Sequence, residues 1–151
     1  MDAHVGLAST DEFVASEMYE VVIGASGNTR SAIRCEAQKC DLVNVETPYI
    51  LDCDRERSFW VAWQHVVDGG SKPRSNLFLF LNIPISSSFF LSALIMVGSG
   101  DEPFQNEFMR AQHNVTRQIF YASFSTWNDT TGVFEIEQTQ GRQTSFPFFR
   151  R

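Results

Sequence analysis

Apolar and polar positions alternate with a period of two in several short runs, which is the pattern of half-buried strands. Residues 1–7, MDAHVGL, set Ala3, Val5 and Leu7 against Asp2 and His4. Residues 57–63, RSFWVAW, set Phe59, Val61 and Trp63 against Ser58, Trp60 and Ala62, so both faces are largely apolar and the run reads as a central strand. Residues 95–100, IMVGSG, read as a strand entering a glycine turn. Residues 118–127, QIFYASFSTW, and 133–137, VFEIE, repeat the alternation. Between these runs, 9–17 and 101–112 read as polar loops, the second carrying Pro103, Phe104, Phe108 and Met109. Residues 47–54, around Pro48, read as an edge strand or a connection. Short strands with turn signals between them, and no sustained helical period, predict an all-β fold, an antiparallel β-sandwich. Val21, Ile23, Phe59, Val61, Ile119, Phe124 and Phe134 are its expected core.

The stretch that decides between fold classes is 19–34, YEVVIGASGNTRSAIR. As a strand, turn and helix, VIGASGNT would bring backbone N–H groups to a phosphate. As a hairpin, Gly24, Gly27 and Asn28 would supply the positive φ of the turn. A dinucleotide fold needs a third glycine for close helix–strand packing, and Arg30 stands there; no helical stripe follows through Cys35, Gln38, Cys40 and Asn44. The hairpin is the expected structure.

The chain has 151 residues, room for one domain with a real core. Residues 1–137 read as that domain, interrupted by an atypical segment at 65–94 and followed by a tail at 138–151. With 20% charged residues and a net charge of −6, the composition is globular and mildly acidic. No basic stripe interleaves with aromatics, so nucleic acid is not an expected partner. Within the odd segment, 76–100 carries no charge, and 76–97 is long and apolar enough to span a bilayer. Its Phe, Leu, Ser and Pro content is also what pyrimidine-rich RNA encodes, as in a retained intron. The intron reading is preferred, ahead of a membrane segment and of a genuine loop, so a membrane is a partner only if 76–97 is genuine.

Three cysteines are present, Cys35, Cys40 and Cys53. Cys35 and Cys40 are close enough to share a bridge or a metal, but no fourth ligand group completes a zinc pattern, and no metal site is expected. Free thiols or one local disulfide are the preferred readings. Asn114-Val115-Thr116 and Asn128-Asp129-Thr130 are acceptors for N-glycosylation if the chain is secreted. No signal-peptide pattern opens the chain. The expectation is therefore cytoplasmic for a complete chain and extracellular for a piece of a secreted multidomain protein.

Four side chains are candidates for ligand binding. His4 has the chemistry of a general base, with Asp2 on the same strand face; a salt link is the plainer role. Arg30 and Arg34 flank the hairpin and have the geometry to hold a carboxylate, although a solvated edge also accounts for them. Trp60 and Trp63 fall on opposite strand faces, so one has the position to stack on a ligand; core packing of both against the second sheet is the preferred reading. No catalytic residue is assigned.

In order along the chain, DAHVGL (2–7), YEVVIGASGNTRSAIR (19–34), FWVAW (59–63), MVGSGDEPF (96–104) and YASFSTW…GVFEI (121–136) resemble the farnesoic acid O-methyltransferase-like domain of invertebrates. In that family the strand ending in FWVAW is followed closely by the IMVGSG strand, so segment 65–94 departs from the pattern. A strand also precedes DAHVGL there, which implies an incomplete start. The resemblance implies methyl transfer from S-adenosylmethionine to farnesoic acid, a step of juvenile hormone and methyl farnesoate synthesis. The residues themselves carry no motif for that cofactor: VGSGD (97–101) has two glycines but no acid in its strand and no helix after it. No cofactor is expected unless that chemistry operates. The expected function is a module binding a small hydrophobic carboxylate, a carbohydrate or a protein, with methylation of farnesoic acid as the alternative.

Overall fold

The computed structural model describes residues 2–36, 39–67, 91–102, 104–114 and 119–126. Within them the strands are β1 (Ala3–Ala8), β2 (Met18–Gly24), β3 (Arg30–Cys35), β4 (Cys40–Glu46), β5 (Phe59–Val67), β6 (Leu91–Ser99), β7 (Glu107–Asn114) and β8 (Tyr121–Thr126). They form two antiparallel sheets, one of five strands in the order β4-β3-β2-β1-β8 and one of three in the order β5-β6-β7. The fold is all-β and sandwich-like.

The core lies between the sheets. Val5, Leu7, Val21, Ile23 and Ile33 enter it from one side, and Ala93, Ile95, Val97, Met109 and Ala111 from the other. The period of two that marks β1 in the sequence does the sorting: Val5 and Leu7 point inward while His4 and Gly6 lie on the outer face. Burial of each large apolar side chain contributes roughly 1.5–3 kcal/mol. Of the expected core, Val21, Ile23 and Ile119 are buried, and Phe59, Val61 and Phe124 are half-buried against it; Phe134 and the strand expected at 133–137 lie outside the described residues.

The stretch 19–34 is a hairpin. β2 and β3 pair antiparallel from Tyr19 opposite Cys35 to Val22 opposite Ala32. A single helical turn, α1 (Ala25–Asn28), closes it through left-handed backbone at Gly24 (φ 77°), Ser26 (φ 52°), Gly27 (φ 71°) and Asn28 (φ 66°). Glycine and asparagine tolerate that conformation, which explains their place in the turn.

Several expectations are corrected. Among the described residues β5 is an edge strand, not the central one expected: it pairs there only with β6, which is the middle of its sheet. The second half of the expected polar loop is strand β7, where Arg110, Gln112 and Asn114 face out while Met109 and Ala111 face in. β4 was hidden by its polar residues Asp41, Asn44 and Glu46, which an edge strand can keep in solvent. Residues 47–58 form a connection without a strand of their own. The ends of segment 65–94 belong to the sheet, with His65 opposite Ala93 and Val67 opposite Leu91; residues 68–90 lie outside the described ones.

Candidate functional site

On the outer face of the five-stranded sheet, register places charges of alternating sign on four neighbouring strands. His4 on β1 donates from Nδ1 to Glu20 Oε1 on β2 at 2.8 Å, a diagonal cross-strand contact. Glu20 lies directly opposite Arg34 on β3, with Oε2 3.8 Å from Nη1, and Arg34 Nε lies 3.3 Å from Asp41 Oδ1 on β4. Asp2 Oδ1 stands 3.4 Å from His4 Nε2. His4 is only 7% exposed.

The hydrogen bond to Glu20 holds the His4 imidazole above its ordinary pKa, against the opposing effect of burial, with Asp2 adding to the rise. The same bond holds Glu20 below the usual carboxylate range, helped by Arg34. The imidazole is buried with one ring nitrogen toward each of two carboxylates, so both are directed at partners within the sheet. The arrangement therefore acts as a charge ladder that ties four strands together, and the salt link expected of His4 is a buried one.

His4 and Arg34 thus meet through Glu20, which sequence reasoning passed over; its one signal is a lone acid inside the apolar run Tyr19–Ile23. Arg30 stands on the same sheet but apart from the ladder, 3.7 Å from Glu46 with both side chains exposed. Trp60 lies on the other sheet altogether. Trp63 packs toward the common core, whereas Trp60 joins Leu94, Met96 and Ala62 on the outer face of the three-stranded sheet, so the two tryptophans do not share a core. Trp60 donates from Nε1 to the Gln105 carbonyl at 2.8 Å, and its ring lies against Gly98, where an added Cβ would run into the indole. Asn114 is exposed at the end of β7, and Asn128 lies outside the described residues. Cys35 and Cys40 are bridged, and Cys53 is free and exposed.

A second constellation, absent from the sequence-based candidates, gathers three connections at one end of the sandwich. The Asn28 side chain donates to the Leu51 carbonyl at 2.7 Å and accepts from the Leu51 N–H at 3.0 Å. Thr47 N–H donates to the Thr29 carbonyl and Tyr49 N–H to the Asn28 carbonyl, at 2.9 and 2.8 Å. Gly100 N–H donates to the Ser58 carbonyl at 2.9 Å, which ties in residues 100–106. From this braced end Tyr49 and Phe104 stand 84% and 58% exposed, both with left-handed backbone.

A family model described as farnesoic acid O-methyl transferase matches residues 1–89, more than half of the 151-residue chain. The chain belongs to this family. No curated protein and no solved structure matches it. The family's description calls for a methyl donor, and S-adenosylmethionine would need backbone left open by glycines. At Gly24 an added Cβ would lie 2.6 Å from Leu51 Cδ1, and at Gly98 the space is filled by the Trp60 indole. Gly24 and Gly98 have given their close approach to the chain's own side chains, while an added Cβ at Gly27 meets nothing within 4 Å and at Gly100 only Asn106 Nδ2 at 3.7 Å.

Proposed function

We propose that this farnesoic acid O-methyltransferase-family domain is a non-catalytic recognition module. The observation that carries the reading is the Trp60 ring seated on Gly98: the first glycine of VGSGD, the run set against a methyl-donor loop, serves internal packing. The contact surface is the braced end of the sandwich, since loops held by a rigid scaffold are where binding residues concentrate. Its Tyr49 and Phe104 are exposed, and the same connections carry the exposed acids Asp54, Asp101 and Glu102 and the exposed bases Arg55 and Arg57. Exposed aromatic faces on a braced surface suit a carbohydrate or a protein.

Calorimetric titration of the folded full chain with S-adenosylmethionine, with and without farnesoic acid, tests the reading. Methyl transfer to a carboxylate ionised at neutral pH needs little acid–base assistance, so the cofactor site is the discriminating feature. No binding and no methyl farnesoate are expected. Binding at a micromolar dissociation constant, about −8 kcal/mol, with methyl farnesoate accumulating, overturns it.

A further inference from the structure

We infer that Asn114 carries an N-linked glycan and that the domain folds on the oxidising, secretory side of the cell. Two independent observations meet here. First, Cys35 and Cys40 face each other across the β3–β4 pair with Cα atoms 5.3 Å apart and are joined as a disulfide. Such bridges persist in oxidising compartments and are rare where glutathione and thioredoxin keep thiols reduced. That is the compartment in which asparagine in an N-x-T sequence is glycosylated.

Second, the structure places Asn114 where a glycan fits. It is the last residue of β7, exposed, on the side of the strand that also presents Arg110 and Gln112 to solvent. Among the described residues β7 pairs only with β6, so its other edge is not a neighbouring strand there. A buried asparagine, or one facing the core like Met109, would exclude a sugar; this one faces away.

The position also respects the braced end. β7 starts at Glu107, just after the 100–106 connection, and runs its full length before reaching Asn114. Eight residues of strand span roughly 25 Å. The glycan therefore sits at the opposite end, the end of the disulfide: Tyr19 pairs with Cys35, and its hydroxyl lies 3.3 Å from Nδ1 of His113, next to Asn114.

The step balances without a redox partner. The Asn114 amide nitrogen forms a bond to the anomeric carbon of a lipid-pyrophosphate-linked oligosaccharide. The carbon–oxygen bond to the pyrophosphate breaks, the lipid pyrophosphate leaves, and the amide gives up one proton.

The test directs the full chain into the secretory pathway of an animal cell with an appended leader and follows all of it, secreted or retained. Peptide mass analysis after treatment with a glycan-releasing amidase is expected to show aspartate at position 114. Alkylation without reduction is expected to mark Cys53 alone. Asn114→Gln and Thr116→Ala should each abolish the mark at 114, the second while leaving Asn114 in place, and a site at Asn128 would be read separately in its own peptide. An unmodified Asn114 in this material overturns the proposal. So does native protein from its own tissue in which Cys35, Cys40 and Cys53 all alkylate without reduction.

Discussion

Asn28 stands in for a strand neighbour of Leu51: its amide pairs with both the N–H and the carbonyl of that residue, at 3.0 and 2.7 Å. It does so from left-handed backbone at φ 66°, so one residue supplies both the turn and the clamp. Asn28→Gly keeps the turn and loses the clamp, an expected cost of about 1–2 kcal/mol for two net hydrogen bonds. Asn28→Ala should cost roughly 1 kcal/mol more, because a Cβ resists this backbone. Urea midpoints of the two variants check the order; equal values would remove backbone strain from the account.

Trp60 and Gly98 should behave as a coupled pair. Gly98→Ala drives a methyl group into the indole, an overpacking expected to cost about 1–3 kcal/mol. It should also red-shift the tryptophan emission as the ring is pushed toward water. Trp60→Phe in the same chain gives the methyl room, so the double variant should lose less than the two single changes added together. Simple additivity in thermal unfolding would mean that the ring does not rest on Gly98.

The ladder gives stability a pH dependence of known sign. His4 is raised above 6.5, so its contribution is whole below that value and is lost as pH rises through the folded-state value. Glu20 is lowered from 4.5, so its contribution is present above that value and is lost as pH falls through the folded-state value. The pair therefore supports the fold most between pH 4.5 and 6.5. His4→Gln should flatten the decline on the alkaline side, and Glu20→Gln should flatten both sides. Denaturation midpoints taken from below pH 4.5 to above pH 6.5 measure it, and an alkaline decline unchanged in His4→Gln would exclude the imidazole as its source.

Much of this architecture was legible in local pattern. Alternation at Ala3, Val5 and Leu7 marked β1 and its inner face, and Gly24, Gly27 and Asn28 marked a hairpin turn, because side-chain period and backbone tolerance act over a few residues. Asp2 and His4 were placed on one face by the same period. β4 and β7 were not legible, since exposed polar residues on strands at a sheet edge look like loop. Glu20 as the partner of His4, Leu51 as the partner of Asn28, and the burial of Trp60 on Gly98 belong to tertiary structure. Each joins positions far apart in the chain, and cross-strand register, which local periodicity does not encode, decides which of them meet.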